Sequence, residues 1–373
     1  MHSDFGRLRR AFLREGEGDG VPLLELGIAA NVRERFLGRP IRGWADEVEF
    51  WTSAGYDYVP VAHGLHALLE PSSSLRMADG LLRDPDHLIV RAISRMGLAV
   101  HERYQGYDDP GHERVYANPH SGIITTMEEL ERFPWVTADD FCYDQLDRAA
   151  EHLPPGVKLI PVLGYVFAGI WQLMGFETFC FALKRQPELV ARLFDEVGQL
   201  AYDMVDRISR HPAVGAIGHS DDIAYKTGLI IGPKYLRRYL FPWVERCAAL
   251  SHERGLPFVF HSDGQLYPVI EDLIACGVDA LHPIEPAAMD IGELKARYAR
   301  RLCLCGNVDL DHPLTRGTPG EVKEAVRALL QSVAPGGGFA IGSGNSIAGW
   351  IPFENYQALR TASLEYGSYP IRP

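Results

Sequence analysis

Cysteine is scarce in this sequence, six in 373 residues, and no two form a CxxC pair. That excludes a secreted disulfide framework and points to a reducing cytoplasm. Cations are outnumbered, 37 Lys and Arg against 49 Asp and Glu, for a net charge of −12. A protein that tracks phosphates needs the opposite surplus, so nucleic acid is not an expected partner. No GxGxxG, GxxxxGK[ST] or GxSxG segment occurs, which leaves dinucleotide binding, Walker-type phosphate binding and the hydrolase elbow without support. Met1–Arg14 is charged throughout and lacks the apolar core of a signal peptide. Long apolar runs are also wanting. Leu159–Phe176 goes 18 residues without a charge, near the lower limit for a membrane span. It holds Pro161, Gly164, Gly169 and Gly175 and begins like a strand, so a buried strand entering a buried helix is expected, and no membrane partner.

What is present is globular: 46% hydrophobic and 23% charged residues. Eight short apolar runs recur, at Pro22–Ile28, Tyr56–Gly64, Lys158–Gly164, Val214–Asp221, Pro257–Asp263, Ala280–Glu285, Leu302–Asp309 and Phe339–Asn345. Each is apolar enough for a strand buried on both faces of a parallel sheet. Amphipathic helical stretches lie between the later ones, at Pro233–Arg254, Gln265–Cys276, Ile291–Tyr298, Pro319–Val333 and Pro352–Tyr366. The alternation predicts an α/β fold, a (β/α)8 TIM barrel, with active residues at the C-terminal strand ends. Residues 1–373 read as one domain, without low-complexity linkers or repeats. An insertion after the second strand, at about residues 65–157, contains a helix near 84–100 and a Gly/Pro/Asp/His-rich hairpin at 104–124. A lid, a dimer contact and plain decoration all suit it.

The strand-end rule sorts the polar residues. His261 and Asp263 close the fifth run two positions apart and so share one face of the strand. Such a pair suits a divalent metal, a hydrogen-bonded substrate, or a satisfied buried contact. The fourth run ends in His219-Ser220-Asp221-Asp222. Parity puts His219 with Asp221, a turn could present Asp222 instead, and an aspartate here could also cap a helix. Glu285 ends the sixth run, Asn307 and Asp309 the seventh, Ser343 and Asn345 the eighth, while Glu25 and His63 fall at the first two and Tyr165 just past the third. Catalytic candidates are Asp221, Asp222, His63 and Glu285. Substrate-binding candidates are Glu25, Tyr165, His219, Asn307, Asp309, Ser343 and Asn345. Metal candidates are His261 and Asp263. Cys303 and Cys305 share a face of the seventh run, where packing is the commoner role of cysteine. Gly336-Gly337-Gly338 precedes its strand and reads as a turn.

Phe260-His261-Ser262-Asp263-Gly264, His282-Pro283-Ile284-Glu285-Pro286, Gly306-Asn307-Val308-Asp309 and Ala334-Pro335-Gly336-Gly337-Gly338 resemble the uroporphyrinogen decarboxylase superfamily. So do Phe133-Pro134-Trp135, Asp222-Ile223-Ala224-Tyr225-Lys226, Pro352-Phe353-Glu354-Asn355-Tyr356 and Glu365 through Pro370. The resemblance implies the barrel and two kinds of enzyme, true decarboxylases and cobalamin-linked methyltransferases. Against the decarboxylase, the family's RQAGRY segment is matched here by Leu24-Glu25-Leu26-Gly27-Ile28, its FSD segment by Ala62-His63-Gly64, and its GHG segment by Gly342-Ser343-Gly344. An octa-anionic tetrapyrrole is poorly met without an arginine clamp. The methyltransferases carry HxC where His261 and Asp263 stand, a motif that implies zinc, with an oxygen ligand replacing a thiolate here. The cobalamin-binding DxHxxG segment is absent, so any corrinoid would arrive on a separate protein. The expected function is methyl transfer or demethylation between a small-molecule substrate and a corrinoid protein or similar carrier. A cofactor-free decarboxylase is the alternative, and a silent binding barrel a third reading. A homodimer is the default assembly.

Overall fold

The computed structural model describes residues 3–62 and 122–371, apart from 134, 136 and 142. The expected helix near 84–100, nearly all of the 104–124 section, and His63 lie outside the described residues.

Seven strands form one parallel sheet in sequence order: β1 (Tyr58–Ala62), β2 (Lys158–Gly164), β3 (Ile217–Ser220), β4 (Phe258–His261), β5 (Ala280–His282), β6 (Cys303–Val308) and β7 (Phe339–Ser343). Each follows one of the apolar runs of the sequence. Their side chains are buried because helices cover the sheet, as parallel strands require. Sequential order with a helix between neighbours is the pattern of a barrel-type α/β fold.

The helices arise from local signals. Thr318 and Glu321 form a capping box before Pro319–Val333, with Pro319 in the first turn. Val322, Val326, Leu330 and Val333 then bury one stripe of that helix. Asp290 accepts the Glu293 N–H and starts Ile291–Tyr298. Pro233–Arg254 is less regular than its periodicity suggests, because a π turn over Leu236–Leu240 precedes Phe241–Glu253, which has Pro242 in its first turn. The charge-free stretch is β2 followed by the buried helix Val166–Met174, which bends by 97° into Phe176–Arg185. Among the described residues no single helix is long and apolar enough to cross a membrane.

The first expected strand is corrected. Pro22–Ile28 makes isolated parallel bridges, Leu23 to Ile341 and Ile28 to Ile347, instead of a continuous strand. The Glu25 side chain is the cause: its carboxyl accepts the Ser343 N–H at 2.6 Å, where a ladder would have used a backbone carbonyl. Close approach at this seam needs Gly342, since a Cβ there would lie 1.9 Å from the Leu24 carbonyl oxygen. The glycine run before β7 is a turn of three left-handed residues, with φ of 82°, 76° and 64° at Gly336, Gly337 and Gly338.

Two glycine substitutions separate crowding from backbone conformation. Gly342→Ala is expected to destabilise the protein by about 3 kcal/mol through overpacking. Gly336→Ala, with nothing within 4 Å of its added carbon, should cost about 1 kcal/mol from its positive φ alone. Urea denaturation midpoints of the two variants check the order.

Candidate metal centre at the strand ends

Strand register builds the site. Ser220 pairs with His261 across β3 and β4, and His261 with His282 across β4 and β5. The ladder continues one step further, with Asp221 N–H donating to the His261 carbonyl at 2.9 Å and Ser262 N–H to the His282 carbonyl at 3.0 Å. The chain then turns, so that Asp222 and Asp263 face the His261 imidazole. His261 Nε2 lies 3.7 Å from Asp222 Oδ1 and 3.8 Å from Asp263 Oδ1. Those separations exceed a direct N–H···O bond. They are near the ~3.4 Å edge of a tetrahedral shell built with zinc–ligand bonds of about 2.0–2.1 Å. An octahedral magnesium shell, with an edge of about 3.0 Å, would need more contraction. The ligand atoms of Asp222, His261 and Asp263 all fall within 4.8 Å of one another. One nitrogen and two carboxylate oxygens are a donor set that fits zinc.

Neighbouring groups fix these three. Asn345 Nδ2 donates to both oxygens of Asp263, at 2.7 and 2.8 Å. The Asp263 N–H donates to Asp222 Oδ1 at 3.2 Å. His282 stacks on His261 with ring centroids 5.1 Å apart, and their Nδ1 atoms are 2.8 Å apart. Burial, and then the neighbouring His261, hold the His282 imidazole well below its ordinary range. Glu285 accepts the Gly264 N–H at 3.0 Å through Oε2, while Oε1 lies 3.5 Å from the exposed Lys226 ammonium.

Other candidates sit apart from the cluster. Asp221 is fully buried and accepts the Phe167 and Ala168 N–H groups at 2.7 and 2.9 Å. It thereby caps Val166–Met174 from another strand, because Tyr165, at the N-cap with φ 66°, supplies no side-chain cap of its own. His219 shares a face with Asp221, Nε2 to Oδ2 3.8 Å, and stacks on Phe260 with centroids 5.4 Å apart. Asn307 donates to the Ile284 carbonyl at 2.7 Å. Asp309 Oδ1 accepts the Asp311 and His312 N–H groups at 2.7 and 3.0 Å, capping a turn. Cys303 and Cys305 are fully buried in β6, and burial pushes the Cys305 thiol far up. Glu25 and Ser343 pair with each other, the hydroxyl donating to Oε2 at 2.7 Å. The Glu25 N–H donates to the Tyr58 hydroxyl at 2.7 Å, tying this seam to β1.

A seven-stranded parallel sheet in sequence order, with carboxylates and a histidine gathered at its C-terminal strand ends, is consistent with a barrel-type α/β protein. The chain belongs to the uroporphyrinogen decarboxylase family, whose model matches residues 114–366. A solved structure of a methyltransferase from Methanosarcina mazei is similar over 96% of this chain and 98% of that one, with a TM-score of 0.66 and 18% identity. At that identity the likeness is one of fold. No curated protein matches the chain.

His282 was not among the sequence candidates. Its signal was a histidine closing β5 next to one closing β4, which becomes meaningful only once the register is known. The buried Glu25 carries a consequence for pH. Burial pushes its carboxyl up to about 8, outweighing the two Ser343 hydrogen bonds. The folded state therefore holds a proton that the unfolded chain releases near the ordinary carboxyl value of 4.5. Its contribution to stability is complete below that value and is lost as pH rises through about 8. Glu25→Gln keeps the shape and both Ser343 contacts but cannot ionise. Its melting temperature should fall less than that of the parent across this interval, which a thermal scan at stepped pH measures.

Proposed function

We propose that this protein is an enzyme that transfers a methyl group between a small oxygen-bearing substrate, such as a methoxy compound or alcohol, and a corrinoid carried by a separate protein. The observation that supports it most is the convergence of Asp222, His261 and Asp263 at the barrel mouth. The family and the fold shared with a methyltransferase point the same way. A divalent ion, zinc by preference, would supply Lewis acidity to the substrate oxygen there. His261, Asp222 and Asp263 would hold it, and Asn345 fixes the Asp263 rotamer for that purpose. Glu285, whose side chain is 18% exposed, is placed to hold or move a proton at Oε1 beside Lys226. Asp221, His219, Tyr165, Asn307 and Asp309 shape the walls of the mouth, and Glu25 and Ser343 its floor. His63 would join from the end of β1.

The reading extends to the architecture. Pro22–Ile28 would act as the eighth stave of a closed barrel, and the chain would be one domain with an insertion at about residues 65–157. The setting would be the cytoplasm and the assembly a homodimer. A second reading, decarboxylation of a carboxylated substrate, is favoured by the family match itself.

Elemental analysis of protein purified without chelator tests the centre. The parent should carry near-stoichiometric zinc, and His261→Ala should carry almost none. The parent should then demethylate a methoxy substrate when a corrinoid protein is supplied. A parent that takes up no zinc, yet releases carbon dioxide from a carboxylated substrate, would replace methyl transfer by the second reading.

A further inference from the structure

His282 is a polar side chain at a place where an apolar one would pack. It is fully buried on β5, and among the described residues its Nε2 has no hydrogen-bond partner. Burying an imidazole with an unmet nitrogen is unfavourable. The ring has one polar contact in return, the 2.8 Å approach of its Nδ1 to Nδ1 of His261. Two ring nitrogens at that distance share a single proton, one donating and the other accepting. The same contact, with the stacked rings tilted by 29°, orients His261 so that Nε2 and not Nδ1 turns toward Asp222 and Asp263.

We propose that His282 is a positioning residue for the metal centre: it accepts the N–H of His261 Nδ1 and so keeps Nε2 as the ligand atom. The inference rests on reading Asp222, His261 and Asp263 as that centre. A neutral imidazole that binds metal through Nε2 must carry its proton on Nδ1, and His282 Nδ1 stands where that proton points. Metal-binding histidines are commonly held this way by a carboxylate or a carbonyl. Here the acceptor is a second imidazole, which adds no negative charge to a site that already has two carboxylates. Asp263 is fixed by Asn345 and His261 by His282, so two of the three ligands are set from outside before an ion enters.

The test is zinc affinity, measured on the full chain by competition with a chromogenic chelator. His282→Phe fills the volume but cannot accept, and it should bind zinc about 10–100-fold more weakly than the parent. His282→Gln, whose side-chain oxygen can accept the same N–H, should recover much of that loss. Equal affinity in the parent and His282→Phe would overturn the proposal, as would equal losses in the Phe and Gln variants. Should the Phe variant fail to fold, nitrogen-15 spectra of the zinc-loaded parent decide the point. A proton on His261 Nδ1 coupled to His282 Nδ1 supports the proposal, and no such coupling overturns it. A parent that binds no zinc would instead overturn the metal-centre reading, and this inference with it, before any variant is compared.

Discussion

The parallel register of β3, β4 and β5 is the constraint on which the rest of the mouth depends. With Ser220 opposite His261 and His261 opposite His282, the two imidazoles meet on one face. A slip of one residue would turn every side chain of the moved strand to the opposite face. His261 would then point to the helical layer and Ser262 to the mouth. The shared metal position, the imidazole contact and the Asn345 bond to Asp263 would be lost together. The backbone guards against this because the ladder runs past the formal strand ends, through the Asp221 and Ser262 N–H groups. Serine adds a further tie, its Oγ accepting the Ile223 N–H at 3.1 Å.

Much of this frame was legible in the residues. The later runs, starting at 257, 280, 302 and 339, became strands starting at Phe258, Ala280, Cys303 and Phe339. Ile291–Tyr298 and Pro319–Val333 kept their expected bounds because Asp290 and Thr318 fix their starts chemically. What escaped the sequence shares one cause: a side chain taking a partner far along the chain. Glu25 claims the Ser343 N–H, 318 residues away, and interrupts a strand that its apolar pattern predicts. Asp221 claims the start of a helix 54 residues earlier. Parity along β3 can pair it with His219, but only the fold shows that the helix start needed a cap. His282 is the same lesson across a register.

The seam between Glu25 and β7 does structural work that the missing ladder would otherwise do. Gly342 lets the Leu24 carbonyl approach, Ser343 gives both its N–H and its hydroxyl to one carboxyl, and Tyr58 bridges back to Glu25 from β1. A side-chain network therefore spans the seam where Pro22–Ile28 meets β7 through isolated bridges. Such a network is sound only if every member is satisfied, and the proton held by Glu25 removes the charge that burial would make most costly.

That contrast explains how the mouth can gather several carboxyl groups without uniform cost. Glu25 has no exposure and stays protonated up to about pH 8. Asp221 is equally buried, but two helix N–H groups at the positive end of Val166–Met174 compensate it. Asp222 and Asp263 retain 21% and 33% side-chain exposure and face each other across the His261 ring. Asn345 gives Asp263 one neutral donor, and Lys226 stands at Glu285 instead. Asp222, His261 and Asp263 leave between them a position lined by one imidazole nitrogen and two carboxyl groups. An oxygen-rich notch of that kind suits a divalent ion better than a neutral ligand. It also favours a hard oxygen group over a thiol as the fourth partner, since thiolates prefer the softer sites that cysteines build.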